Sequence, residues 1–426
     1  MTYVSKRMKN VPAHMLYEPP AEHAGDVHEI TLPIKGQGTI GFTIAELAPF
    51  SVTIRGEGWG TPVLRWDIDR NGARLSYGMM GEWTELDIER NLQSATDGLD
   101  PEQACLYWFS VDCQNRTLLY GKGEMRLNCF LARRDFPGKP HEGEDLYAWF
   151  KEIRKVEVDA AIAGAADVWR DPVAVDPPMK VVAHDAITMD DIAVGEVTVS
   201  ANLSQRCQQL YDAVAGASFE LDTKEFPDFS KAIRASIDNP AGWCAKTLKS
   251  KASEFGKSDP SATYLRITLG RNQGESPGIP YVMEIWPSGH YSPIHDHGGA
   301  DAVIKVLHGS INVRLYRMLS PHHREPFARA DFGPGEVTWI SARLNQVHKL
   351  ENIVTDGDPC ITIQCYMYDE TDVTHWPYFD YLEDGPNIGL FDPNSDATFA
   401  EFKAIMMDEW KNPPQPEPAP EPGPHG

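Results

Sequence analysis

Gly289-His290-Tyr291-Ser292-Pro293-Ile294-His295-Asp296-His297 is answered about fifty residues later by Gly333-Pro334-Gly335 and Val347-His348. Side chains alternate along a strand with period two, so His295-x-His297 puts two imidazoles on one face. A third imidazole from a neighbouring strand, His348, completes a facial set of neutral nitrogen donors. Such a set suits a divalent transition metal and leaves other coordination positions open. The pair follows Gly289 by six residues and precedes an apolar run that ends at Gly309. The third histidine sits in a second Gly-rich β segment.

The chain around these motifs reads as β structure. Strands are expected at Tyr264 to Leu269, Tyr281 to Trp286, Ala302 to Leu307, Ile311 to Tyr316, Val337 to Ile340, His348 to Ile353 and Cys360 to Tyr368. That is enough strand to close a small barrel. Two helices precede it, over Leu203 to Ala215 and Pro227 to Ser236. Phe229, Ile233 and Ile237 recur there at helical spacing, and Asn239-Pro240 stops the second helix. His308, His322 and His323 lack a strand partner and read as surface residues.

Nearer the N-terminus, short alternating runs from Val27 to about Asp135 are separated by turn signals and read as a β-sandwich or jelly roll. Asn71-Gly72 marks a tight hairpin. Trp59, Trp66, Trp83 and Trp108 read as sandwich core rather than a ligand groove. Gly121-Lys122-Gly123-Glu124 lacks the Gly-Lys-Ser/Thr of a phosphate loop and reads as a β-turn. Leu146 to Val158 reads as a short helix or connector. The expected order is an N-terminal β domain (1–160), a linker (161–200) with the boundary near 185, the barrel domain (201–390), a helix (391–411) and a disordered Pro-rich tail (412–426).

Composition bounds the partners. The chain has 426 residues, 62 of them acidic and 39 basic, for a formal charge of −23. Such a surface repels nucleic acid and anionic membranes, so neither is expected as a partner. No stretch is apolar enough to span a bilayer, and the N-terminus has no secretory h-region. Seven scattered cysteines without a CxxC pair suggest a reducing, cytoplasmic setting.

The spacing of the two histidine motifs resembles that of the cupin superfamily. The fold expected is therefore mainly β: a C-terminal cupin barrel with preceding helices, plus an N-terminal β-sandwich-like domain. Residues from about 203 to 385 resemble cysteine dioxygenase and the related thiol dioxygenases more closely. The matching motifs are Tyr264-Leu265-Arg266, Trp286-Pro287-Ser288-Gly289-His290, His295-Asp296-His297 and His348-Lys349-Leu350-Glu351-Asn352.

The resemblance implies an Fe(II) ion on His295, His297 and His348. It gives Arg266 the role of clamping a substrate carboxylate, with Tyr264 beside it, and makes Tyr366 the tyrosine near the metal. The family's Ser-His-Tyr row reads Thr362, Gln364, Tyr366 here. Glutamine can hold a hydroxyl but cannot shuttle a proton near neutral pH as imidazole can. The usual cupin carboxylate ligand, and the cysteine that crosslinks to the tyrosine in some members, both fall on Ala302. Cys365 should point to the opposite strand face. The implied activity is oxidation of a small thiol, not simply cysteine, by O2 to a sulfinate. The alternatives are a three-His metalloenzyme with a non-thiol substrate and a non-catalytic metal-binding sensor module. A homo-oligomer is compatible with the sequence.

Overall fold

The computed structural model describes residues 27–415, apart from 45–47, 58–60, 80–81, 92–95, 101–103, 137–144, 146, 160–165, 174–175, 216–218, 271–279, 355–356 and 369–378. Trp59 and the tail from 416 onward lie outside the described residues. The chain divides after Asp176 into two compact units, and Tyr316–Phe327 belongs to the first.

The first unit is a β-sandwich of two antiparallel sheets. One has the strand order Val27–Thr31, Ile153–Asp159, Phe50–Gly56, Val63–Asp69, Gly72–Met79, Glu82–Leu86. The other runs Ala166–Trp169, Gln37–Ile44, Cys105–Asp112, Thr117–Lys122, Phe130–Asp135, Glu89–Arg90. Alternation does the sorting: in Val63–Asp69, Leu64, Trp66 and Ile68 are buried while Arg65 is exposed. Trp66, Phe109 and Tyr120 meet between the sheets, with the last two rings stacked at 5.1 Å. Each such burial is worth about 1.5–3 kcal/mol. Trp66 and Trp108 are core residues as expected, but Trp83 is half exposed.

Several expectations in this unit are corrected. The hairpin turn is Arg70-Asn71, because Gly72 already pairs with Asp69. Gly121 and Lys122 end a strand, and the bend falls at Gly123, where φ is 72°. The Lys122 ammonium is fully buried and donates to the Gly98 carbonyl at 2.7 Å. A Cβ at Gly121 would lie 2.1 Å from the Trp108 ring. Gly121→Ala should therefore destabilise the protein by about 1–3 kcal/mol, read as a fall in the urea midpoint. Leu146 to Val158 is a short 3-10 turn at Ala148–Glu152 followed by a strand. The expected linker is not structureless: Ala166–Trp169 joins the first unit and Lys180–Val182 the second.

His323 is buried, not a surface residue, and lies in the first unit with Ser320, whose hydroxyl donates to Asp100 at 3.0 Å. Burial, then Lys122, Arg317 and His322, lowers its imidazole to about 2. The unfolded chain, with an ordinary histidine near 6.5, takes up this proton first as pH falls. Stability should therefore be lost below pH ~6.5, by up to about 1.4 kcal/mol per pH unit. Urea midpoints from pH 7.5 to 5.5 should fall less steeply in His323→Gln than in the parent.

The second unit is a two-sheet barrel, as the mainly β expectation required. The larger sheet runs Val197–Val199, Lys180–Val182, Val337–Ile340, Asp301–His308, Cys360–Met367, Tyr281–Trp286, Leu265–Thr268, Ala397–Thr398. The smaller runs Ala328–Phe332, Ile311–Leu315, Val347–Glu351, Ile294–Asp296, Phe379–Leu382, Ile388–Phe391. Helices cover the larger sheet. Gln205–Val214 seats Leu210 and Val214 against Val303, Ile363 and Cys365. Phe229–Asp238, Trp243–Ser250 and Phe399–Lys411 pack against Leu265, Ile267 and Ile285.

Trp243–Ser250 adds to the expected helices, and the helix expected over 391–411 spans Phe399–Lys411. The last begins at Phe399 because Thr398 caps it, accepting from the Glu401 amide while Glu401 accepts from the Thr398 amide. Past this helix, Pro414 accepts a hydrogen bond from Asn239 at 2.9 Å, so the tail is held at its start. No described helix is long and apolar enough to cross a membrane.

Candidate metal centre

Strand register brings the three histidines together. His295, on Ile294–Asp296, lies directly opposite His348, on Val347–Glu351. His297 follows its strand by one residue and turns to the same side. One ligand nitrogen from each lies within 4.8 Å of the others, and all three residues are buried. The His297 and His348 Nε2 atoms are 3.1 Å apart. Two nitrogens held at about 2.0–2.1 Å by one ion at roughly octahedral to tetrahedral angles lie about 2.8–3.4 Å apart, so the donor set fits a metal ion. Burial lowers His295 to about 4, and burial together with His295 puts His348 well below its ordinary value. Both therefore present neutral imidazole, the form a metal needs. The Pro293 carbonyl, 3.0 Å from His295 Nδ1, accepts that nitrogen's proton and leaves Nε2 bare toward the cluster.

The rest of the recognised motif is scaffolding. Asn352 is fully buried, and its amide donates to the Trp286 and Asp358 carbonyls at 2.9 and 3.0 Å. The Asn352 backbone N–H donates to the His290 carbonyl, and the Gly289 N–H donates to the Asn352 backbone carbonyl. Gly289 makes this turn with φ at 75°. The conspicuous histidine before the ligand pair, His290, faces Thr263 through Nδ1 and is not in the cluster. Gln346 clamps the loop after His297, accepting from Gly299 and donating to the Ala300 carbonyl.

Around the three imidazoles, Arg266, Glu284, Trp286, Gln364 and Tyr366 come from the larger sheet and Tyr264 immediately precedes its strand Leu265–Thr268; Leu350 and Phe379 come from the smaller. Thr362, Gln364 and Tyr366 share one face of Cys360–Met367 by alternation. Cys365 faces the other way, toward Leu210. Thr362 touches Gln364 at 3.4 Å but does not line the cavity. Ala302 pairs directly with Tyr366, so a methyl group stands where a larger side chain would meet that tyrosine. No carboxylate joins the histidine cluster among the described residues. The cavity is small, about 10 Å³, room for one water molecule. An organic ligand, however small, needs side chains to move aside.

Sequence reasoning missed Glu284. Its carboxylate accepts from Arg266 Nη1 at 2.7 Å, and both side chains are buried. The other carboxylate oxygen accepts from the Gln364 amide nitrogen, and the Gln364 carbonyl accepts the Tyr366 hydroxyl proton. This chain fixes directions. A carboxylate can only accept, so Gln364 turns its NH2 toward Glu284 and its oxygen toward Tyr366. The Tyr366 proton is thereby committed, and the hydroxyl oxygen accepts from Arg266. Burial would lower the Arg266 guanidinium, but Tyr366 and Glu284 more than offset this and hold it protonated. Burial raises the Glu284 carboxyl against the pull of Arg266 and Gln364.

Phe379 was missed as well. Its ring centroid is 4.6 Å from that of His297. It follows an undescribed stretch whose sequence gave no strand signal. The visible clue to Glu284 was an acid inside the apolar run Tyr281–Trp286.

No family model matches the chain. Among solved structures, the cupin domain of a transcriptional regulator from Enterobacter cloacae is 13% identical over 25% of this chain and 98% of its own, with TM-score 0.20. A cupin 2 domain-containing protein from Halorhodospira halophila is 18% identical over 28% and 77%, with TM-score 0.19. An oxalate oxidase is 18% identical over 26% of this chain and 52% of its own, with TM-score 0.20. Likenesses at this level carry no functional information, and the site itself must supply it.

Proposed function

We propose that this chain is a non-haem Fe(II) thiol dioxygenase that adds both atoms of O2 to the sulfur of a small thiol. The observation that carries the reading is three imidazoles gathered, without a carboxylate, beneath a buried pocket that also holds the Tyr366–Gln364–Glu284–Arg266 chain. His295, His297 and His348 would hold the ion, which when bound supplies sites for thiolate and O2 and lowers the thiol pKa. The reaction balances without another oxidant: thiol plus O2 gives sulfinate plus one proton.

The chain's own side chains place and shield. Trp286 and Tyr264, stacked at 4.1 Å, wall the cavity with Phe379 and Leu350, which keeps water away from the reacting sulfur. Gln364 and Arg266 hold the Tyr366 hydroxyl, whose pKa burial and Glu284 raise against the pull of Arg266, so that it stays protonated and fixed in place. The imidazole nearest Tyr366 is that of His297, stacked on its ring at 5.9 Å and committed to the ion. The Glu284 carboxylate is tied to Arg266 and Gln364, so the chemistry proposed here uses no protein base at that place.

One feature favours a second reading, a metalloenzyme acting on a non-thiol substrate: Arg266 is already paired with Glu284. Oxygen uptake by anaerobically Fe(II)-loaded protein separates the two. Uptake is expected with at least one of cysteine, 3-mercaptopropionate, cysteamine and 2-mercaptoethanol, with a product heavier by two oxygens. Uptake with none of these, at one iron per chain, would turn the assignment to the second reading.

A further inference from the structure

We propose that Glu284 sets the charge of the ligand this pocket accepts: by occupying the Arg266 guanidinium it disfavours thiols whose far end is a lone carboxylate and favours thiols whose far end is neutral or an ammonium group. The inference rests on the thiol reading above and names the substrate class within it.

Arg266 and Glu284 sit side by side on adjacent strands, in direct register, with Arg266 opposite Glu284. Their side chains are 10% and 5% exposed, so water screens neither. The guanidinium already gives Nη1 to Glu284 at 2.7 Å. A substrate carboxylate seeking the same fork would have to share it. That would put two carboxylates on one cation in a buried site, where like charges are poorly tolerated. Rotating Glu284 away is opposed on its other oxygen by Gln364, which is in turn fixed by Tyr366. Lys251 contributes only a weaker, more distant attraction to Glu284.

An uncharged end asks nothing of the ion pair. An ammonium group finds an acceptor in Glu284, each oxygen of which can accept more than one hydrogen bond, and this sets the gain against the repulsion of Arg266. The ring faces add nothing to this, because Tyr264 and Trp286 stack on one another at 4.1 Å and Lys251 lies over Tyr264 at 5.5 Å. Arg266 itself already lies over the Tyr366 ring at 5.7 Å. The remaining wall, Leu350 and Phe379, is apolar and matches a short carbon chain.

The test uses the full chain loaded with Co(II) under anaerobic conditions, with the thiolate-to-cobalt absorption read as each thiol is titrated in. The parent should bind cysteamine and 2-mercaptoethanol at least about tenfold more tightly than 3-mercaptopropionate. Glu284→Gln, which keeps shape and removes the negative charge that neutralises the guanidinium, should reverse that order. Arg266→Met/Glu284→Leu, which removes both charges, should bind all three within about threefold of one another; it keeps the test open if the single variant fails to fold. Parent protein that binds 3-mercaptopropionate as tightly as cysteamine, or an order unchanged by Glu284→Gln, would overturn the proposal while leaving the thiol reading in place. Cobalt-loaded parent that gives a thiolate band with none of the three would reject the thiol reading and this proposal together.

Discussion

Replacing His348 by Ala should leave a folded protein that retains less than about one tenth of the parent's iron and loses at least ~100-fold in oxygen uptake. That figure is a lower bound, since removing a partner that merely supports a ligand already costs about 10–100-fold in metal affinity or activity. His348 is the candidate donor contributed across the strand pair, directly opposite His295, and its Nε2 is 3.1 Å from that of His297. Without it, two donors remain from one short strand, and the facial set is lost. Metal analysis after gel filtration checks the first half of the statement and an oxygen electrode the second. Full iron retention in His348→Ala would show that the ion, if bound, sits elsewhere.

Arg266→Ala should be the most destabilising single change in the pocket, by about 3–5 kcal/mol, because it strands a buried carboxylate. Replacing both partners by apolar residues should cost far less, since then no charge is left unpaired. Urea unfolding of Arg266→Ala and of Arg266→Met/Glu284→Leu makes the comparison directly. The penalty has a pH signature. With the guanidinium gone, the Glu284 carboxyl, which burial already raises above its ordinary 4.5, rises further in the folded state. A carboxyl raised on folding favours the folded state while it is protonated. That contribution is lost as pH rises through the raised value, so Arg266→Ala should lose stability as pH climbs above ~4.5. A single variant no less stable than the double at pH 7 would mean that the pair is not ionised as described.

The barrel and its histidines were legible because both signals are local. Apolar runs bounded by Gly and Pro mark the strands from Leu265–Thr268 to Cys360–Met367, and alternation assigns Thr362, Gln364 and Tyr366 to one face and Cys365 to the other. The misreadings have physical causes. In Ile153–Asp159 the pairing slips between Ile153 and Lys155, so Ile153 and Val156 point inward three residues apart, a helical spacing written by a strand. His323 looked like a loop histidine because nothing local shows that Tyr316–Phe327 belongs to the first unit. Arg266 and Glu284 are eighteen residues apart, and only the register of two strands makes them neighbours. The residues that can hold a metal were thus visible in the chain, whereas the charge balance of the pocket around them was not.

The central claim is a dioxygenation of sulfur, and isotope labelling tests it most directly. Fe(II)-loaded protein is supplied with 18O2 and with the thiol that gives the fastest uptake, and the product is weighed. The account predicts a sulfinate carrying two heavy oxygens from a single O2. A disulfide, a product with one labelled oxygen or an unlabelled product would contradict it.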